Sequence, residues 1–381
     1  VWQGIARLND DVGSAHQLNP AVVVGPSRNP ANPDRVYVVW QDQRNGNDDV
    51  YLVRSDNGGD SWGDNYFVTD DPHMTSQNQL APAVDVEELG IVVVGWEDWR
   101  DPEHPEIYAM WSWDEGQSFG IDVPITIVAP EQRTTYRLAP DLVTHTTTET
   151  VEYWDDVDEI IRTEVTIITV IHVAWQDGKG DNADVYWTYA EYDHDWENRR
   201  PCPWPYDGDF CFEGPTKVSG FVIDSDYVRP PNGGTVWPIE PTWQGQVTLD
   251  LVPDLMYFTG CKFETTIVYS KGVVIAWSDA RSYDDWRYEV RTRRVASPEG
   301  DPKSYEVCDD WASGMVNGNP KLHEYRDDLD ASPVTLNDQY NAMKPAAVGQ
   351  LNPSVRVDPV GIFVAWDDDR WDAPFEPGTV R

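Results

Sequence analysis

Five times along the chain an apolar run ends in Trp, one spacer and a carboxylate, usually followed two residues later by a base. The copies are Trp40-Gln41-Asp42-Gln43-Arg44, Trp96-Glu97-Asp98-Trp99-Arg100, Trp175-Gln176-Asp177-Gly178-Lys179, Trp277-Ser278-Asp279-Ala280-Arg281 and Trp366-Asp367-Asp368-Asp369-Arg370. A repeat of this length constrains the fold more than any local signal. Each unit is a supersecondary element that buries its apolar face only by stacking on its neighbours.

The residues before each Trp form β-branched runs, such as Val36 to Val39, Ile91 to Val94 and Val273 to Ala276, which read as buried strands. Upstream of each lies a Pro and a second short apolar run, at Pro20, Pro82, Pro140, Pro253 and Pro353, read as an inner strand with Pro at its first position. Third strands follow at Asp49 to Val53, Glu106 to Met110, Asp184 to Trp187 and Tyr288 to Arg291, and fourth strands such as Tyr66 to Val68 come after them. Four antiparallel strands per unit around an axis predict an all-β propeller, with five blades as the first reading and six as the alternative.

The intervals between Trp landmarks are uneven, so the insertions differ between blades. Two stand out: about 142–175, two long Thr/Val-rich runs expected to form a protruding hairpin, and about 190–252, which holds enough apolar residues for extra strands. The whole of 1–381 reads as one domain. Val1 to Asp11 parallels Ser61 to Asp71, which makes the N-terminus the expected outer strand of the last blade, beside Gly378 to Arg381.

Where third strands end, two turns share a pattern: Ser55-Asp56-Asn57-Gly58-Gly59-Asp60-Ser61-Trp62 and Ser112-Trp113-Asp114-Glu115-Gly116-Gln117-Ser118-Phe119. In each, a small polar side chain at Asn57 or Asp114 can cap the turn. Gly59 and Gly116 can take positive φ, and Trp62 and Phe119 can pack beneath. The pattern resembles the Asp-box, or BNR repeat, of sialidase-like propellers. That resemblance implies the propeller fold and places these turns on the blade periphery, away from the family's catalytic face.

With 67 acidic and 28 basic residues the net charge is −39, which leaves no basic stripe for nucleic acid or an anionic membrane. No apolar run is long enough for membrane insertion. Such acidity suits either high salt or neutralisation by calcium, the one candidate cofactor, for which Asp48, Asp49, Asp177, Asp181 and Asp184 are the turn carboxylates available. Solvated turns are the plainer account of them. Cys202, Cys211, Cys261 and Cys308 lack zinc or haem spacing and are read as disulfides 202–211 and 261–308, with reduced thiols as the alternative.

Fivefold repetition of the Trp-x-Asp-x-Arg motif argues for structure, because a catalytic centre needs an acid and a base in different environments. Asymmetry instead appears on the inner strands, where Asp85, Asp141, Asp254 and Arg356 are the candidate catalytic residues of a glycoside hydrolase. The sialidase resemblance further implies three converging Arg, an Arg-x-Pro strand and a Tyr/Glu pair. Here Ile5-Ala6-Arg7-Leu8 lacks the Pro, and of the Arg only Arg356 lies on an inner strand.

Taken together, the sequence reads as a secreted, non-enzymatic propeller that binds an extracellular glycan or protein or assembles with itself into an oligomer or filament. An axial glycosidase, sialidase-like or of the five-bladed exo-acting kind, is the alternative. The charge generates a test. Melting temperature should rise with sodium chloride, and calcium at equal ionic strength should act more strongly only where specific sites exist; identical curves would leave screening alone.

Overall fold

The computed structural model describes residues 5–29, 31–69, 77–125, 136–155, 160–179, 182–195, 209–218, 244–259, 266–279, 289–295, 334–335, 350–358 and 361–368. Among them all regular structure is β, in five sheets. Sheet one is β1 (Gln17–Gly25), β2 (Arg35–Asp42), β3 (Asp49–Ser55) and β4 (Tyr66–Phe67) in sequence order. Sheet two repeats that order with β5 (Gln79–Val86), β6 (Val92–Asp98), β7 (Glu106–Ser112) and β8 (Val123–Pro124). Sheet three has β9 (Arg137–Asp155), β10 (Ile160–Lys179) and β11 (Asn182–Asp193), with β12 (Cys211–Phe212) and β13 (Thr216–Lys217) both pairing with β11. Sheet four is β14 (Gln244–Thr259), β15 (Thr266–Asp279), β16 (Glu289–Val295) and β17 (Val334–Thr335); sheet five is β18 (Gln350–Asp358) and β19 (Gly361–Asp368).

The second strand β6 is buried along its whole length, since sheets one and three pack on its two sides, which is why it reads as an unbroken apolar run. Core clusters join consecutive sheets: Val39 and Leu52 meet Val94 and Trp96, Ile107 and Trp111 meet Val173 and Trp175, and Val185 meets Ile275 and Trp277. Trp96, Trp175 and Trp277 are fully buried, each removing enough apolar area to favour folding by roughly 5 kcal/mol before entropy is counted.

A buried indole N–H needs an acceptor, and the motif supplies one. Residues two apart on a strand share a face, so the Asp stands beside the Trp ring. Trp40 Nε1 donates to Asp42 at 2.9 Å and Trp96 Nε1 to Asp98 at 3.0 Å. The same carboxylates accept the backbone N–H of Arg44 and Arg100, each at 2.9 Å, together with Nη2 of Arg44 at 2.7 Å and both Nε and Nη2 of Arg100 at 2.8 and 2.7 Å. The guanidinium of Arg44 lies 4.1 Å above the Tyr51 ring and that of Arg100 3.9 Å above Tyr108, the cross-strand partners of Trp40 and Trp96. Burial pushes Asp42 up, but the bonds from Arg44 and Trp40 outweigh it and hold the carboxyl below its ordinary value. In sheet three Gly178 stands where Arg44 and Arg100 have Gln43 and Trp99, and Lys179 replaces the Arg. Arg137, from the first residue of β9, pairs with Asp177 there. Arg281, Asp369 and Arg370 lie outside the described residues.

The prolines correct one expectation. They do not start the inner strands: β1, β5 and β9 begin three residues earlier, and the register shifts at Leu18/Ala21, at Leu80/Ala83 and opposite Ala174/Gln176. Pro20, Pro82 and Pro140 sit in these bulges, where a missing N–H costs no ladder bond. The residue before each, Asn19, Ala81 or Ala139, has φ between 47° and 49°, a strained left-handed conformation.

Hydrogen bonds define both turns after the third strands. Ser55 Oγ accepts from Gly59 N at 2.9 Å and Ser112 Oγ from Gly116 N at 2.8 Å; Asn57 and Asp114 accept the N–H of Ser61 and Ser118, each at 2.8 Å. Gly116 has φ 77°, and a Cβ there would stand 2.9 Å from the Tyr37 ring. Along the hairpin, β9 and β10 pair from Ile160↔Asp155 to Asp177↔Arg137, whereas β11 joins β10 only from Ile168 onward. Residues 5–11, expected within an outer strand, form no strand, and 1–4 and 378–381 lie outside the described residues.

The Asp98 network predicts that Asp98→Ala, which strands an indole N–H, a backbone N–H and a guanidinium, lowers stability by about 3 kcal/mol in urea unfolding. A midpoint within error of the parent would show that the motif does not hold the sheet ends.

Candidate functional site at the inner strands

Register, not the prolines, defines the positions along the inner strands. Gln17, Gln79, Gln244 and Gln350 each pair opposite the motif Asp of their sheet, Asp42, Asp98, Asp279 and Asp368, and Arg137 does so opposite Asp177. Six residues on stand Val23, Asp85, Val143, Asp250 and Arg356, each paired three residues before the Trp. Asp141 lies two residues earlier in its strand, opposite Ala174.

Asp254 is therefore not the counterpart of Asp85; Asp250 is. Pro253 misled the alignment because β14 begins at Gln244, and its first register shift, between Gly245 and Thr248, falls where the other sheets have their Pro. The recurring Gln ahead of four inner strands was the signal that could have found Asp250. The side chain of Asp254 lies outside the described residues.

Each of the three carboxylates reaches across a sheet junction to a backbone amide. Asp85 accepts from Thr144 N at 2.7 Å, Asp141 from Leu249 N at 3.0 Å, and Asp250 from Val357 N at 2.7 Å. Each lies on the inner strand of one sheet and the amide on the inner strand of the next. A second tier lies nearer the Trp motifs, where Gln41 Oε1 accepts from Ala81 N at 2.9 Å and Glu97 Oε1 from Ala139 N at 2.6 Å, the strained residues of the bulges.

Burial pushes the Asp85 carboxyl up to about 7 and Asp141 up to about 6, against the backbone N–H bonds, which favour ionisation; neighbouring carboxylates add to the rise. Both residues keep partial solvent contact although protein surrounds their carboxyls closely. Arg356 is largely exposed, with Nη1 3.7 Å from Asp250. Contrary to expectation it is not alone on the inner strands: Arg137 begins β9, but at the motif end, where it pairs with Glu106 and Asp177.

No group of three or more His, Cys, Asp or Glu among the described residues is arranged to hold a metal ion. Asp48 accepts from the Gln43 amide and Asp49 from the Asn45 and Asn47 amides, Asp177 pairs with Arg137, and Asp181 lies outside the described residues. Cys211 is disulfide-bonded, while Cys202, Cys261 and Cys308 lie outside the described residues.

No protein-family model and no curated protein matches the chain. Among solved structures it is similar to a Hadza microbial sialidase, at 13% identity and TM-score 0.29, covering 73% of this chain and 56% of that one. It is also similar to an exo-1,5-α-L-arabinanase from a bovine ruminal metagenomic library, at 10% identity and TM-score 0.34 over 88% and 84% of the two chains. An α-L-arabinanase of Penicillium chrysogenum complexed with arabinobiose matches at 9% identity and TM-score 0.37 over 95% and 85%. At these values the likeness assigns no activity to this chain.

The raised carboxyls generate a signed pH prediction. Asp85 and Asp141 bind protons more tightly folded, at about 7 and 6, than at their ordinary value of 3.8, so their contribution to stability grows as pH falls from about 8 toward 4. Asp85→Asn keeps an oxygen for Thr144 N and removes the titration. Its melting temperature should vary less with pH than the parent's at constant ionic strength, and parallel profiles would refute the assignment.

Proposed function

We propose that the chain is a five-bladed, ring-closed propeller working outside the cytoplasm as a non-catalytic binding or self-assembling module. One observation carries the non-catalytic reading: Asp85, Asp141 and Asp250, the carboxylates that chemistry would need, each accept a backbone amide of the next sheet. A general acid or nucleophile must present its oxygen to substrate, whereas these oxygens fasten sheet to sheet.

Ring closure is supported by the packing of Leu8. After β4, β8 and β13 the chain places Val68, Ile125 and Val218, whose N–H groups bond to Val50, Ile107 and Val185, and each packs in the cluster shared with the next sheet's Trp. Leu8 packs on Val38, Trp40, Tyr51 and Val53 of sheet one, the seat that Val68 takes on sheet two. Nearby, Asn65 ties this segment down through bonds to Leu8 and Asp10. The N-terminal segment thus fills, for the first blade, the place that a preceding blade fills for the others. The disulfide at Cys211 supports an oxidising, extracytoplasmic setting.

The contact arm is the β9–β10 hairpin. Beyond Ile168 it runs past β11 as a two-stranded ribbon with Val165 and Ile167 exposed, a form suited to strand addition by a second copy or another protein.

A second reading, a glycoside hydrolase, has one observation in its favour: the upward shifts of Asp85 and Asp141, since a carboxyl titrating near neutrality can serve as an acid.

Replacing residues 149–166 by a short Gly turn should convert a self-associating particle to monomers in light scattering, with no hydrolysis of arabinan or sialosides by either form. A parent protein that is strictly monomeric and binds no partner would overturn the module reading. Turnover abolished by Asp85→Asn at unchanged melting temperature would establish the hydrolase.

A further inference from the structure

We infer that a cleft beside Trp113 is a binding subsite for a neutral sugar ring. The cleft, about 390 Å3, is lined by Arg28, Glu88, Leu89, Ile91, Trp113 and His194. It belongs to the end of the sheets where the β5–β6 and β7–β8 turns lie, opposite the end that carries the Trp-x-Asp-x-Arg motifs. Its volume falls within the roughly 300–1,000 Å3 usual for small-molecule sites.

Trp113 is held as a rigid platform. Its indole N–H donates to Asp209 at 2.9 Å, its ring stacks on buried Phe210 at 5.7 Å and 9°, and Tyr192 packs at 4.5 Å. His194 meets it edge-on at 6.2 Å. Arg28 is fixed just as firmly. Its backbone N–H donates to Glu115 at 2.7 Å, its Nε to Leu89 O at 2.6 Å and its Nη2 to Trp113 O at 2.6 Å. Those bonds leave the two N–H donors of Nη1 beyond them. Glu88, whose Oε2 accepts from Thr146 N at 3.0 Å, brings a positioned carboxylate to the lining, and Leu89 and Ile91 add apolar wall.

A cleft lined by an indole, a fixed cationic donor and an anionic acceptor matches a sugar ring, which is apolar across its C–H face and lined with hydroxyls at its edge. Net charge selects the class. A carboxylated sugar would meet Glu88 and a chain of net charge −39, whereas a neutral ring meets no such penalty. Most of the polar groups being already positioned, little ordering is needed on binding, and a single subsite of this kind gives a Kd on the order of 1 mM.

The test is saturation-transfer NMR on the full chain with arabinopentaose, xylopentaose, cellopentaose and mannopentaose as probes and sialyllactose as the charged control. At least one neutral probe should bind with a Kd on the order of 1 mM. Trp113→Ala should weaken it about tenfold or more, the loss expected of an aromatic anchor. Glu88→Gln keeps an oxygen for Thr146 N and so the local fold. It should weaken binding several-fold at unchanged melting temperature, which separates recognition from unfolding. Absence of any neutral probe at about 20 mM, affinity untouched by both variants, or preference for sialyllactose would each overturn the inference. Replacing residues 149–166 keeps the Ile167 carbonyl that accepts from His194 N at 2.9 Å and should leave sugar binding intact, so this test and that of the hairpin fail independently.

Discussion

The architecture depends on how a large indole can be buried without leaving its N–H unpaired. A Trp between two sheets contributes more apolar burial than any other side chain, yet an orphaned donor would cancel much of that gain. Placing a carboxylate two residues on, where the strand geometry puts it on the same face, solves the first problem and creates another, a buried negative charge. The Arg two residues later answers it by folding back over the Tyr ring. Charge, hydrogen bond and ring packing thus lock the ends of β2 and β6, and the inner strand is registered against that fixed point through Gln17 or Gln79. Sheet three shows which part is indispensable: the Arg is gone, and Arg137 arrives from another strand to restore the pairing.

Much of the strand layout was legible because its causes are local. Period-two patterning, the Trp-x-Asp pair and the Ser/Gly turns each act over a few residues, so the order of four strands in sheets one and two follows from reading along the chain. The inner-strand site was less legible. Asp85, Asp141 and Arg356 could be picked out, but the role of the acids depends on amides of strands about sixty to a hundred residues away, which no local pattern encodes. Asp250 escaped because Pro253, in a second bulge of β14, imitated the landmark used elsewhere, while the bulge that aligns with those of the other sheets holds Val247. The Trp113 cleft could not be foreseen as a cleft, since Arg28, Trp113 and His194 come from three different sheets or their connections.

The second tier of side-chain to amide bonds also explains why a strained residue is tolerated at the bulges of sheets two and three. Ala81 and Ala139 occupy a left-handed conformation next to Pro, which would be costly alone. Their amides, turned out of the ladder by the bulge, point to acceptors on the preceding sheet. Strain within sheets two and three is thereby linked to adhesion between sheets.

The continuity of β10 has a mechanical consequence. The strand that carries Trp175 into the core is the same strand that forms one leg of the protruding hairpin, with no break over Ile160–Lys179. A force applied near the hairpin tip therefore passes down one backbone into the centre of sheet three. Because β9 and β11 flank β10 along its lower half, tension along that axis loads their hydrogen bonds in shear, all at once, instead of opening them one after another. An arm anchored in this way can bear a pull that would strip a hairpin mounted on a surface loop.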